Sequence, residues 1–135
     1  MAGRPETVEE LLAQARRELA RLPPPAALEA VGEGAFLVDI RSDSQRASDG
    51  TIPGASYVPR NVLEWRLDPA SEHRDPALAR HDRQVILICN EGYQSSLAAA
   101  NLRRLGLNAT DVIGGFQSWL ASGLPVTQRE RTNRA

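Results

Sequence analysis

The sequence predicts an α/β domain with a small, mostly parallel central sheet covered by helices on both faces. Three observations carry this. Residues 35–40 and 85–88 are short apolar runs without polar alternation, the mark of strands buried on both sides. Stretches with helical spacing of apolar residues separate the strand-like runs, so strand and helix alternate along the chain. At 135 residues and 41% hydrophobic content, there is room for one domain with one core.

In chain order, Thr7 and Glu10 have the spacing of a capping box, with Thr7 as N-cap. Val8, Leu11, Leu12, Ala15, Leu19 and Leu22 then recur at helical spacing, and Glu9, Glu10, Arg16 and Arg17 take the opposite face. Residues 1–21 are therefore expected to form an amphipathic N-terminal helix docked on its own domain. Pairing with a partner or a second copy is the other use of such a stripe. Pro23, Pro24 and Pro25 end it. A short helix is expected over 26–31, closed by Gly32 and Gly34, followed by the first core strand over 35–40. Residues 42–49 read as a polar, turn-prone connection. Pro53-Gly54 supplies turn chemistry before a short strand at 56–58. Residues 59–82 are the least regular part, with one or two helical turns at 62–66 and a helix opening at Asp75 with Pro76 in its first position. A connection this long in a small domain commonly carries function or acts as a lid. After the second core strand, an alanine- and leucine-rich helix runs to Leu105 and stops at Gly106. A last strand is expected over 108–113, then a Gly114-Gly115 turn into a helix stopped by Gly123 and Pro125. Trp119 reads as core filler, and 127–135 as a flexible tail.

The charge balance excludes whole classes of partner. Sixteen basic against 17 acidic residues give a net charge of −1 and a pI near 6.1. That leaves no electrostatic footprint for nucleic acid or an anionic membrane. All basic residues are arginine, which points to a GC-rich, bacterial coding sequence. No apolar run approaches the ~20 residues that span a bilayer. The N-terminus lacks the apolar core of a signal peptide and carries glutamates that transit peptides avoid. A single cysteine excludes an internal disulfide and any multi-thiolate metal site, and it suits a reducing cytoplasm. His73 and His81 have no paired spacing, so no metal and no cofactor are expected.

The stretch 85–96, VILICNEGYQSS, concentrates the chemistry. The strand ends on Cys89, a polar loop containing Gly92 follows, and Ser95 opens the next helix. A thiol at the carboxyl end of a central strand lies where ligands of parallel sheets bind. It faces backbone N–H groups that lead into a helix N-terminus. That is an anion site, and one that favours thiolate over thiol. The plain alternative is a small buried apolar residue, as most lone cysteines are.

This order of strand, cysteine, polar loop, serine and helix resembles the active-site loop of rhodanese-like sulfurtransferases, whose common pattern is Cys-Arg-x-Gly-x-Arg-Ser. Cys89, Gly92 and Ser95 match it, while Asn90 and Gln94 stand at the arginine positions. Three further marks follow the family in order. They are Asp39-Ile40-Arg41 at the first strand end, Gly50-Thr51-Ile52-Pro53-Gly54-Ala55 with Thr51 for the usual histidine, and Gly114-Gly115 before the Trp119 helix. The resemblance covers a rhodanese-like domain over 22–126.

The resemblance implies transfer of sulfane sulfur through a persulfide on Cys89, from thiosulfate or a thiol persulfide to a thiol or cyanide acceptor. The partners are then a small sulfur donor and a thiol acceptor, which a protein can supply. Asn90, Glu91, Gly92, Tyr93, Gln94, Ser95 and Ser96 form the anion-binding loop, with Ser95 and Ser96 as hydroxyl donors or helix caps. Neutral Asn90 and Gln94 predict weak use of thiosulfate. Arg60, Trp65 and Arg66 are candidate substrate contacts from the long connection, with simple packing and solvation as the plain reading. Asp39 and Arg41 read as structural, tying loops at the strand end. A phosphatase of related fold needs an arginine six residues after the cysteine, where Ser95 stands. A binding module without chemistry, or a redox sensor on Cys89, is the remaining alternative.

Overall fold

The computed structural model describes residues 3–128. Among them, four strands, β1 (Phe36–Asp39), β2 (Ser56–Tyr57), β3 (Gln84–Ile88) and β4 (Asn108–Asp111), pair in parallel in the order β2-β1-β3-β4. The helices are α1 (Val8–Arg16), α2 (Pro24–Gly32), α3 (Asp43–Asp49), α4 (Leu63–Leu67), α5 (Gln94–Arg104) and α6 (Gly115–Ala121). The fold is the expected α/β class, with every strand pair parallel.

β3 explains why its run is apolar throughout. Successive side chains alternate across the sheet, so Val85, Leu87 and Cys89 join Ala98, Ala99 and Leu102 of α5 and Leu63 and Leu67 of α4 on one face. Ile86 and Ile88 face the other way, toward Ala27 of α2 and Phe116 and Trp119 of α6. Both faces are covered, so both must be apolar. Trp119 is fully buried, and its indole N–H donates to the Pro125 carbonyl at 2.9 Å. Cys89 therefore continues the strand's alternation one residue past its end, on the α5 side.

Several local expectations change. Residues 42–49 hold a helix, α3. Ser42 caps it, and Gln45 completes a capping box that the polar composition had obscured. The helix expected from Asp75 is a single turn, with Leu78 and Ala79 N–H groups both donating to the Asp75 carbonyl. The N-terminal helix is shorter than its apolar stripe. It ends at Arg16, and Val8 and Leu11 are 62% and 44% exposed. Helix α1 packs on α5. The three prolines open α2, with Pro24 as its first residue, where a missing N–H costs nothing. Leu22 instead lies beside β4, its N–H donating to the Asp111 carbonyl and its own carbonyl accepting from Ile113. Thr127, expected to start a flexible tail, is bridged to Thr51 by two backbone hydrogen bonds of 2.6 and 2.9 Å. Residues 129–135 of that expected tail lie outside the described residues.

Candidate active site

Cys89 is 7% exposed at the carboxyl end of β3, and its sulfur accepts two backbone hydrogen bonds, from Gly92 N at 3.2 Å and Ser95 N at 3.3 Å. The loop closes because Gly92 has φ +88°, a conformation that glycine adopts without steric cost. The N-terminus of α6 holds the loop from the side. Phe116 N donates to the Cys89 carbonyl at 2.8 Å and Gln117 N to the Asn90 carbonyl at 3.1 Å. Gly114 and Gly115 are more than turn punctuation. A Cβ on Gly115 would lie 2.5 Å from the Cys89 carbonyl oxygen, and one on Gly92 would lie 2.7 Å from Gly114 N. Two backbones meet here with no room for side chains.

The sulfur opens on a cavity of about 550 Å³ lined by Cys89, Asn90, Glu91, Tyr93 and Gln94 of the loop, and by Ile40, Arg41, Tyr57 and Arg60 opposite. Asn90 and Gln94 thus line the cavity as neutral residues. The Asn90 side-chain carbonyl accepts from Gln117 Nε2 at 3.0 Å. Arg60 reaches the cavity but is tied to Glu64 at 2.9 Å. Burial pushes the Glu64 carboxyl up, while hydrogen bonds from Asn101, its own backbone and Arg60 together hold it below its ordinary range. The other two candidates from this connection do not reach the site. Trp65 is 57% exposed beside Asn101 and Arg104. Arg66 donates to the His73 carbonyl at 2.8 Å and lies 4.0 Å from Asp75. The helix turns both away, since Leu63 and Leu67 take the buried side.

Asp39 and Arg41 form a buried fork. Arg41 Nε and Nη2 donate to the Asp39 carboxylate at 3.0 and 2.8 Å, and Nη2 also donates to the Gly50 carbonyl at 2.8 Å. The guanidinium stacks 3.7 Å from the centroid of Phe116. This pair braces the strand end against α6, at the wall of the cavity that Arg41 lines.

Ser95 and Ser96 differ from the expected roles. Neither hydroxyl caps α5, whose N-cap position is Tyr93 with no side-chain bond. Both donate instead to Asp111 Oδ2, at 2.7 and 2.8 Å. Of these two serines, only Ser95 serves the sulfur, through its backbone N–H. Three residues assigned no role in the site by their sequence context, Arg16, Arg21 and Asp111, stand behind the loop. Arg16 donates to the Gly92 carbonyl at 2.7 Å and to Ser96 Oγ at 3.0 Å. Arg21 donates to the same carbonyl at 3.0 Å and pairs with Asp111 at 2.8 Å. Periodicity assigned Arg16 to the solvent face, and no local pattern links Asp111 to Ser95 and Ser96, 16 and 15 residues upstream.

A family model described as the rhodanese-like domain matches residues 24–122. The chain belongs to the rhodanese-like family. The thiosulfate sulfurtransferase GlpE of Pseudomonas putida is 36% identical over 107 residues, covering 78% of this chain and 88% of that protein. The adenylyltransferase and sulfurtransferase uba4 of Ogataea parapolymorpha is 32% identical over 85 residues, 62% of this chain. This rhodanese-like chain spans only a fifth of that protein's length (20%). Among solved structures, a protein of unknown function and possible tyrosine phosphatase from Rhodopseudomonas palustris superposes with a TM-score of 0.81. It is 30% identical, over 92% of this chain and 99% of that one. Among the described residues, no helix is long and apolar enough to cross a membrane, and no His, Cys, Asp or Glu cluster has metal-binding geometry.

Proposed function

We propose that this rhodanese-like domain is a sulfurtransferase that carries sulfane sulfur as a persulfide on Cys89. The observation that carries the reading is the Cys89 sulfur, facing a cavity of about 550 Å³ and accepting two backbone N–H groups. Such donors suit the negative charge of a persulfide anion. With thiosulfate as donor, the Cys89 thiolate attacks the outer sulfur. The sulfur–sulfur bond of thiosulfate breaks, and its electron pair leaves with sulfite. The persulfide then offers its terminal sulfur to an acceptor thiolate or cyanide, and Cys89 departs as thiolate. Backbone N–H groups of the loop and the α5 N-terminus meet the negative charge in both steps.

The surroundings favour a donor less charged than thiosulfate. Asn90 and Gln94 provide no charge, Glu91 is acidic, and the two arginines that line the cavity, Arg41 and Arg60, are paired with Asp39 and Glu64. Hydrogen bonds to charged groups contribute about 1.5–3 kcal/mol each, so a small dianion gains little here. A thiol persulfide, small or on a protein, fits better. Exposed Tyr93 at the rim supplies apolar contact for it. A phosphatase reading lacks support, because Ser95 occupies the position of the oxyanion-binding arginine and points its hydroxyl at Asp111. Intact-protein mass spectrometry after exposure to each donor tests the proposal. One cyanide-labile sulfur, gained by the wild type and not by Cys89→Ser, supports it. No adduct from either donor returns Cys89 to redox sensing or packing.

A further inference from the structure

We propose that Arg16 and Arg21, which precede the segment matched by the family model, are positioning residues that hold the Cys89 loop in its sulfur-facing shape. The loop has no basic residue of its own between Asn90 and Ser96. Both N–H donors at the sulfur trace back to these two guanidinium groups.

Gly92 is the first link. Its N–H donates to the sulfur, while its carbonyl accepts from Arg16 Nη2 at 2.7 Å and Arg21 Nη2 at 3.0 Å. A glycine at φ +88° has the softest backbone in the loop. Two charge-assisted bonds on the carbonyl keep it turned away from the thiol. Ser95 is the second link. Its N–H donates to the sulfur, its hydroxyl donates to Asp111, and both Asp111 oxygens accept from Arg21. Arg16 Nε also donates to Ser96 Oγ, which in turn donates to Asp111.

Charge gives the arrangement its direction. Asp111 is fully buried directly behind the α5 N-terminus. Without its guanidinium partner it is an unpaired carboxylate facing a thiolate site, and it disfavours negative charge on the sulfur. Arg21 neutralises it and Arg16 adds a further positive charge, so these two arginines are a working part of the site.

The inference rests on Cys89 being the reacting thiol, and its test is separate from sulfur transfer. The rate of Cys89 alkylation by iodoacetamide, a neutral reagent, is followed against pH for wild type, Arg16→Gln and Arg21→Gln. Each variant is first checked by circular dichroism. Arg16 is only partly buried and does not pair with the buried Asp111, so Arg16→Gln keeps the test open if Arg21→Gln unfolds. Both variants are expected to react about tenfold more slowly at pH 7, a difference of about 1.4 kcal/mol. Their rates should converge with wild type at high pH, where all thiols are ionised. Superimposable profiles overturn the proposal, as does a wild-type Cys89 that resists alkylation at every pH. Failure of sulfur loading, by contrast, overturns the sulfurtransferase reading and leaves this comparison decisive for the arginines.

Discussion

At the scale of single residues, the site is built by exclusion as much as by contact. Gly115 has φ +63° and its α-carbon faces the Cys89 and Asn90 carbonyl region so closely that any Cβ collides with backbone. Gly115→Ala should therefore cost more than about 2 kcal/mol in urea unfolding. Gly32→Ala, with nothing within 4 Å of the added atom, should change stability by less than about 1 kcal/mol. Equal effects would mean that the close approach of Gly115 to the loop is not needed. Arg60 offers a second residue-scale outcome. Its guanidinium lines the cavity but is engaged by Glu64, whose carboxyl lies below its ordinary range. Glu64→Gln frees Arg60 for an anion and should lower the thiosulfate KM several-fold, a gain that adding Arg60→Ala should abolish. An unchanged KM in Glu64→Gln, or a gain that survives Arg60→Ala, leaves Arg60 outside donor binding. Because Glu64 is depressed, its ion pair holds above the unfolded carboxyl range and fails as pH falls through the folded value.

At the scale of elements, the short helices owe their positions to caps and neighbours. The α1 capping box is complete: Glu10 N donates to Thr7 Oγ1 at 3.1 Å and Thr7 N to Glu10 Oε1 at 2.9 Å. Arg4 first, then the Thr7 backbone, lowers the Glu10 carboxyl from 4.5 to about 2. An NMR titration should find the Glu10 side chain with a midpoint near 2, the cap weakening only as pH falls through that value. A midpoint near 4.5 would show that the Arg4 pair does not form in solution. This box was legible in the sequence because Thr-x-x-Glu preceded a clear apolar stripe. The equivalent Ser42–Gln45 box carries no such mark, because α3 buries no residue and so shows no stripe. The inward turn of Arg16 was also hidden. Its partner, the Gly92 carbonyl, lies 76 residues away and leaves no periodic trace.

At the scale of the whole molecule, the parallel sheet brings together pieces that are distant in sequence. The carboxyl ends of β1 and β3 deliver Arg41 and Cys89 to one cavity, and β4 carries Asp111 in behind the loop. Leu22, alongside β4, sets Arg21 against the same carboxylate. The fold class, the core strands and the Cys89 loop were legible because each is a local pattern: an apolar run, a glycine, a helix start. The backing of the loop was not, because it depends on which strands become neighbours. The same distinction separates Arg60, which the fold brings to the cavity, from Trp65 and Arg66, which the α4 packing turns outward. The central claim is that Cys89 takes and gives sulfane sulfur. Mass spectrometry of the full chain after incubation with a thiol persulfide, and separately with thiosulfate, tests it most directly. The account predicts one cyanide-labile sulfur on the wild type, more readily from the persulfide, and none on Cys89→Ser. A wild-type mass unchanged by both donors would contradict it.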